Sequence, residues 1–268
     1  MIELFSKEEQ TQTRKSSKGN QLKFFRDGIW YKADYLGYEG LAEYTVSHLL
    51  RYSTLKEAEF VLYDLEEIRY KGQVFRGCKS RDFRKSWQLI TMERLFQQAY
   101  GTGLNSLLYS LDDHTARLKT LIEQAERLTG LNSMGIWFQK MLTIDTLFLN
   151  EDRHTHNIAV LINDRQEFRE APFFDHGACL LSDTSLDYPM ERDPLVMVKE
   201  SEPKTFCQDY DEQLDISERL CQNHLFFSFG YHEVKEIVDQ ATIYPPEVRR
   251  RVIDLVMARR RSHEYLFH

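Results

Sequence analysis

Three polar side chains in the second half of the chain have types and spacings that could serve the transfer of a phosphoryl group. Asp152 and Asn157 lie five positions apart in the segment EDRHTHN, and only polar residues separate them. Asp175 follows in the segment FFDHG, after an apolar run and two residues before a glycine. Proteins usually bind Mg²⁺ through one or two carboxylates together with substrate phosphates. These residues therefore suit a hard cation that holds a phosphorylated substrate.

The order of the three residues is that of a protein-kinase centre. In a kinase catalytic loop an Asp accepts the proton of the substrate hydroxyl, and an Asn five positions later binds the metal. A later Asp before Gly takes the part of the D-F-G segment, here as Asp-His-Gly. Taken alone, Asp152 and Asn157 would more often be turn or capping residues, and Asp175 could simply cap the following turn. The combination favours the catalytic interpretation.

Three motifs resemble those of the HipA-type kinases. The family's catalytic loop, Asn-x-Asp-Arg-His-x-x-Asn, is matched by NEDRHTHN at residues 150–157. Its metal segment, Pro-hydrophobic-hydrophobic-Asp, is matched by PFFD at residues 172–175, and its glycine motif, Gly-x-Gln-x-Lys, by GNQLK at residues 19–23. The resemblance implies a HipA-like serine/threonine kinase that uses ATP and Mg²⁺. Because the chain begins almost at the glycine motif, a compact, CtkA-type member without the extra N-terminal subdomain is expected.

The resemblance implies roles for four residues in the reaction. Asp152 would be the catalytic base or the carboxylate that orients the substrate hydroxyl. Asn157 and Asp175 would bind Mg²⁺. Lys32, on the second strand of a hairpin, would pair with the phosphates of ATP. Without the resemblance, a lysine at this position would usually be a solvated residue of a strand edge.

Further residues are expected to bind the cofactor. Glu43, on the helix after Lys32, would hold that lysine by a salt bridge, and Glu39, one turn earlier, is the alternative. The others would act through the backbone, Gly19 and Asn20 at the phosphates and Cys78, Lys79 and Ser80 at the adenine in the hinge between two lobes.

The beginning of the chain predicts a hairpin after a mobile start. The first ~20 residues are rich in Lys, Gln, Ser and Thr and show no apolar pattern. Apolar-aromatic runs then predict strands at 22–26 and 29–34. They flank Asp27-Gly28, a pair that favours a two-residue hairpin turn.

The rest of the front part predicts one helix and two strands. Residues 39–51 have helical apolar spacing, and residues 59–78 predict two strands joined near Lys71-Gly72. These elements form a predicted N-lobe at residues 1–83, which ends in a hinge near residues 78–83.

From about residue 88 onward the pattern is predominantly helical. A stripe of apolar residues predicts a buried helix face that ends near Asn150, with members Met134, Trp137, Met141, Ile144 and Phe148. Two short strands flank a turn at Asn163-Asp164, and the chain is again helical from about 210. Residues 84–268 therefore predict a helical C-lobe. With the resemblance, this predicts an α+β, bilobal protein-kinase-like fold with a small β-rich N-lobe and a larger, mostly α-helical C-lobe.

Composition narrows the class of protein further. The 268 residues are 42% hydrophobic and 29% charged, which is typical of a globular domain. The net charge of −7 argues against a general nucleic-acid binder. No C-x-x-C pair, secretory signal or membrane-spanning apolar run is present, so a reduced, cytoplasmic protein without membrane contact is expected. Secretion without a signal peptide stays open.

The predicted function is transfer of the γ-phosphate of ATP to a Ser or Thr of a protein. A kinase of small molecules or lipid head groups and a non-catalytic, nucleotide-binding pseudokinase are the alternatives. A protein substrate is the expected partner, and an antitoxin-like partner is a further alternative. The arginines at 249–251 and 259–261 predict a solvated helix face, with an acidic or phosphorylated partner as the alternative.

Overall fold

A computed structural model describes residues 1–10 and 21–268 of the chain. The strands are β1 Ile2–Leu4, β2 Lys23–Arg26, β3 Ile29–Ala33, β4 Asp64–Tyr70, β5 Gln73–Arg81, β6 Gln88–Thr91, β7 Ala159–Ile162 and β8 Phe168–Glu170. The α-helices are α1 Glu39–Leu50, α2 Met92–Tyr100, α3 Leu104–Tyr109, α4 His114–Thr129, α5 Met134–Phe148, α6 Pro194–Met197, α7 Tyr210–Cys221, α8 Tyr231–Asp239 and α9 Pro246–Ser262. The predicted α+β class is confirmed.

The chain packs as two compact units. The first unit comprises Met1–Phe83, Phe174–Ser201 and Phe226–His268, and the second comprises Arg84–Phe173 and Glu202–Leu225. The predicted boundary after residue 83 coincides with the first of these divisions. Two later segments that were expected in a helical C-lobe group instead with the front part of the chain.

The first unit is built on a five-stranded sheet in the order β1-β4-β5-β3-β2. The predicted hairpin turn is present, with Asp27 and Gly28 at φ values of 52° and 76° and Arg26 paired with Ile29. Both residues have positive φ, as a type I′ turn requires. Lys71 and Gly72 repeat this geometry between β4 and β5.

The prediction of a mobile start is wrong for Ile2–Leu4. These residues form β1, which pairs in parallel with β4 from Ile2 opposite Ile68 onward. The side chain of Leu4 is 1% exposed and belongs to an apolar cluster that includes Phe24 and Ile68. Burial of Leu4 supplies the free energy that orders this short segment. Residues 11–20 lie outside the described part of the chain.

Helix α1 approaches the sheet at a contact between two glycines. A Cβ on Gly40 would lie 2.7 Å from the Cα of Gly77 and 2.8 Å from the Oη of Tyr244. A Cβ on Gly77, in β5, would lie 2.0 Å from the carbonyl oxygen of Lys32. Only glycine fits at either position, so this contact fixes the distance between α1 and the strands that it covers.

The arginines of α9 do not form one solvated face, and that prediction is wrong for Arg251 and Arg259. They are 4% and 7% exposed, respectively. The guanidinium of Arg251 donates to the hydroxyl of Tyr38 and to the carbonyl oxygens of Tyr188 and Pro189. These bonds tie α9 to the start of α1 and to the segment after residue 174, all within the first unit.

The second unit consists of helices and a three-stranded antiparallel sheet in the order β6-β7-β8. The predicted stripe on α5 is buried throughout, and α5 ends at Phe148, with Leu149 in the left-handed region at φ 58°. The prediction that the chain turns helical from about 88 is wrong for Gln88–Thr91. This segment is β6, because its residues from Gln88 to Thr91 pair with Ile162 to Ala159 of β7.

No helix in residues 1–10 and 21–268 combines the length and the apolar character needed to cross a membrane.

The glycine contact of α1 gives a testable consequence for stability. In an ordinary helix interior, Gly→Ala stabilises by about 1 kcal/mol. We expect Gly40→Ala to destabilise the protein instead, by about 1–3 kcal/mol, because the added methyl group meets the backbone of Gly77. Urea unfolding followed by circular dichroism measures the change.

Gly135→Ala, in α5, is the matched control. Its added Cβ meets the side-chain sulfur of Cys221 at 3.2 Å and no backbone atom at such a distance. A change within about 1 kcal/mol of zero is expected there. Equal stabilisation by both substitutions would contradict the tight contact of α1 with β5.

Candidate active site

A largely buried lysine contacts two carboxylates within the first unit. Lys32 is in β3, and its Nζ is 2.5 Å from Oε1 of Glu43 and 2.6 Å from Oδ1 of Asp175. The exposed fractions of the three side chains are 11%, 1% and 26%, respectively. The sequence thus brings together a strand, α1 and the segment that follows residue 173.

The two carboxylates keep the lysine charged. Burial opposes protonation of Lys32, but the negative charges of Asp175 and Glu43 outweigh it and hold the pKa of the ammonium well above its usual value. Lys32 is therefore a fixed positive charge at neutral pH. A charge of this sign, with its Nζ held in place, suits the phosphate oxygens of a nucleotide.

Backbone groups and a tyrosine orient the two acids. The backbone N–H of His176 donates to Oε2 of Glu43 at 2.8 Å, and that of Asp175 to the Tyr63 hydroxyl at 3.4 Å. The Lys32 Nζ lies 5.3 Å from the centre of the Tyr63 ring. Asp175 has a φ of 63°, a value that is unfavourable for a non-glycine residue. This conformation is strained, and such strain is common at functional sites.

The alternative partner of Lys32, Glu39, has a different place. Its carboxylate accepts the backbone N–H groups of the turn before α1, from Leu36 at 2.7 Å and from Gly37 at 3.1 Å. The residue one turn later, Glu43, forms the ion pair. Glu39 stabilises the start of the helix that presents Glu43.

A second acid supports the same turn. Asp34 accepts the backbone N–H of Gly40 at 2.6 Å and the hydroxyl of Tyr244 at 2.8 Å. Burial, followed by the nearby carboxylate of Glu39, raises the pKa of Asp34 to about 7. The turn before α1 is therefore supported by a carboxyl group whose pKa lies near neutrality.

The predicted catalytic loop lies in the second unit, directly after α5. The side-chain Nδ2 of Asn157 donates to the carbonyl oxygen of Asp152 at 2.7 Å and to its carboxylate at 3.2 Å. The loop is thus closed on itself by one side chain. With Nδ2 engaged in this way, the amide oxygen of Asn157 is the atom that could bind a metal.

His154, one of two histidines in the loop, remains uncharged at neutral pH. His154 Nε2 lies 3.6 Å from Oδ1 of Asp152. Burial lowers the pKa of His154, and the carboxylate of Asp152 offsets this only in part. An uncharged His154 places no imidazolium charge beside the carboxylate of Asp152, which suits a group that must accept a proton.

The two predicted metal ligands each offer an oxygen donor. Asp175 offers a partly exposed carboxylate and Asn157 an amide oxygen, and Mg²⁺ prefers oxygen ligands of these kinds. Asp175 lies in the first unit and Asn157 in the second. Their metal-binding role stays a prediction.

Five further residues were predicted to bind the cofactor through their backbone. Gly19 and Asn20 lie outside the described residues. Cys78, Lys79 and Ser80 lie in the last part of β5, which runs on to Arg81, and their role at the adenine stays a prediction. Cys78 and Lys79 pair with both β3 and β4, which commits their backbone to the sheet. The connection that leaves the sheet begins after Arg81.

Sequence reasoning missed several residues that support these groups. Tyr63 and Asp34 gave no signal, because single polar residues near strand ends are common. Asp145 could have been noticed, because it is an acid within the apolar pattern of a buried helix. Its partner is Arg153, at 2.9 Å.

The chain resembles a solved kinase in its fold. It matches the Helicobacter pylori proinflammatory kinase CtkA with a TM-score of 0.61 and 17% sequence identity, over 97% of this chain and 95% of that one. No family model and no curated protein matches the sequence. The likeness shows a kinase-like fold, as the predicted fold class required.

The raised pKa of Asp34 predicts how stability depends on pH. The folded state binds this proton up to about pH 7, whereas the ordinary value for an aspartate is 3.8. Between these values the folded state binds more protons than the unfolded state, so the contribution of Asp34 to stability falls as pH rises. Asp34→Asn should therefore gain stability over the wild type from pH 4 to pH 8, by about 2–4 kcal/mol.

Urea unfolding at several pH values measures this difference. Asp164→Asn, at an exposed position in the β7–β8 turn, is the control and should follow the wild-type curve. If the curves of Asp34→Asn and the wild type stay parallel, the carboxyl of Asp34 does not titrate as described.

Proposed function

We propose that this protein is a kinase that uses ATP and Mg²⁺ and transfers the γ-phosphate to a Ser or Thr hydroxyl of a protein. The observation that carries the proposal is the Lys32–Glu43–Asp175 cluster, with distances of 2.5 and 2.6 Å. It matches the strand lysine, helix glutamate and metal-binding aspartate of protein kinases. The kinase-like fold and the Asp152–Asn157 loop support the same function.

The proposed reaction uses the residues in distinct ways. Lys32, kept charged by its carboxylates, pairs with phosphate oxygens of ATP. Asp152 accepts the proton of the substrate hydroxyl as its oxygen bonds to the γ-phosphorus and the bond from phosphorus to the β,γ-bridging oxygen breaks, which releases ADP. Asn157 orients Asp152 through the two hydrogen bonds of its Nδ2.

Mg²⁺ would be held by Asp175 and Asn157 and would neutralise charge on the phosphates. The protein's own contribution is mainly to position these groups and to fix their charges. Phosphoryl transfer requires little covalent chemistry from the enzyme, so a small set of residues is sufficient.

The test is transfer of label from γ-labelled ATP with Mg²⁺ to the protein itself and to a generic acceptor protein. Asp152→Asn should lower the rate by about 10²–10⁴-fold, because the proton acceptor is lost. The dissociation constant of the Asp152→Asn variant for ATP should equal that of the wild type, since Asp152 takes no part in binding the nucleotide. Asp164→Asn, an exposed aspartate in the same unit, should retain full activity.

Other outcomes would replace the proposal. Label that enters an aminoglycoside or an inositol lipid but no protein would indicate a small-molecule or lipid kinase. Binding of ATP without turnover in the wild type would indicate a pseudokinase that senses nucleotide.

A further inference from the structure

A fully buried acid lies beneath the Asp152–Asn157 loop. Asp145 is 0% exposed and belongs to α5, whose buried face is otherwise largely apolar. Its carboxylate accepts two hydrogen bonds from the guanidinium of Arg153, at 2.9 and 3.2 Å, and one from the side-chain amide of Asn150, at 2.8 Å. A single carboxylate thus holds two residues of the loop.

Each of these partners reaches one residue of the proposed reaction. The side-chain oxygen of Asn150 accepts the backbone N–H of Asp152 at 3.2 Å. The Nη1 of Arg153 donates to the carbonyl oxygen of Asn157 at 3.3 Å. Two chains of hydrogen bonds therefore lead from Asp145 to the backbones of Asp152 and Asn157.

Stability alone does not account for this arrangement. Replacing a buried ion pair by apolar side chains of similar volume is often neutral or stabilising. The Asp145–Arg153 pair, at 0% and 3% exposure, is such a pair. Hydrogen bonds define position more sharply than apolar contacts do, and catalytic groups must be held within fractions of an ångström.

We propose that Asp145 is a positioning residue, which sets the places of Asp152 and Asn157 through Asn150 and Arg153. The proposal rests on the proposed kinase function for its effect on rate. Its structural part, the anchoring of residues 150–157 to α5, is independent of that function. Asp145 touches neither nucleotide nor substrate in this scheme.

The test uses the double substitution Asp145→Leu with Arg153→Met, which removes both buried charges together and avoids an unpaired ion. Thr143→Val, also in α5, is the matched control. It removes two buried hydrogen bonds with Gln139, the one that the hydroxyl donates to the carbonyl oxygen and the one that it accepts from Nε2, and neither involves residues 150–157. Turnover, the KM for ATP and hydrogen–deuterium exchange of the peptide covering 150–157 are measured for each protein, with the melting temperature as a check of folding.

The double variant should stay folded, exchange faster at 150–157 and lose about 10- to 100-fold in kcat, with the KM for ATP changed by less than about threefold. Thr143→Val should keep the wild-type kcat and loop exchange. If the double variant is folded and has unchanged kcat and loop exchange, Asp145 has no positioning role.

Three further outcomes of this experiment can be told apart. Faster loop exchange with unchanged kcat would overturn the proposal, because the anchoring would then not matter for the reaction. If the double variant does not fold, Arg153→Lys replaces it in the test. This substitution retains the charge pair, but its single amine cannot span both Asp145 and Asn157, so it must show the same loss of kcat. Full activity of Arg153→Lys overturns the proposal. If the wild type transfers no phosphate to any acceptor, the kinase function fails alone, and the exchange data still decide whether Asp145 anchors the loop.

Discussion

The burial of one ammonium group between two carboxylates is the interaction on which the first unit's site depends. Desolvation of such charges costs more than a loosely formed ion pair returns, so the partners must meet with good geometry and further hydrogen bonds. At Lys32 these conditions hold, since both carboxylates lie within 2.6 Å of Nζ and a backbone N–H completes the coordination of Glu43. Moving any of the three elements would leave a buried charge unpaired.

Several features that look unrelated serve this one requirement. Gly40 and Gly77 let α1 approach the sheet closely enough for Glu43 to reach the lysine. The positive φ of Asp175 turns the chain so that its carboxylate and the N–H of the next residue both face this cluster. Segments far apart in sequence are thereby fixed around a single charge.

Much of this could be predicted from the sequence, and the failures have physical reasons. The hairpin at Asp27-Gly28 was predictable because the turn demands positive φ at both residues, and the stripe on α5 because burial imposes a period of 3.6 residues. The short strands β1 and β6 were missed because three or four residues carry too little periodicity. The choice between Glu39 and Glu43 was beyond the sequence, since both lie on one helical face and only the turn before α1 decides it.

The buried partners of the site were the hardest to foresee. Hydrogen bonds such as that from Tyr244 to Asp34 join residues more than 200 positions apart, and no local pattern reports them. The same is true of the grouping of Phe226–His268 with the front of the chain. The motif around Asp152 was visible because its chemistry is concentrated in eight consecutive residues.

The proposed function assigns Asp175 and Asn157 to one Mg²⁺-bound nucleotide. Calorimetric titration of ATP into the wild type, Asp175→Asn, Asn157→Ala and the double variant, with Mg²⁺ and with EDTA, tests it most directly. We expect the two losses of binding free energy to be non-additive, with a coupling of about 0.5–3 kcal/mol that disappears in EDTA. Losses that simply add, or affinities for ATP that do not depend on Mg²⁺, would show that the two residues do not share a metal-bound nucleotide.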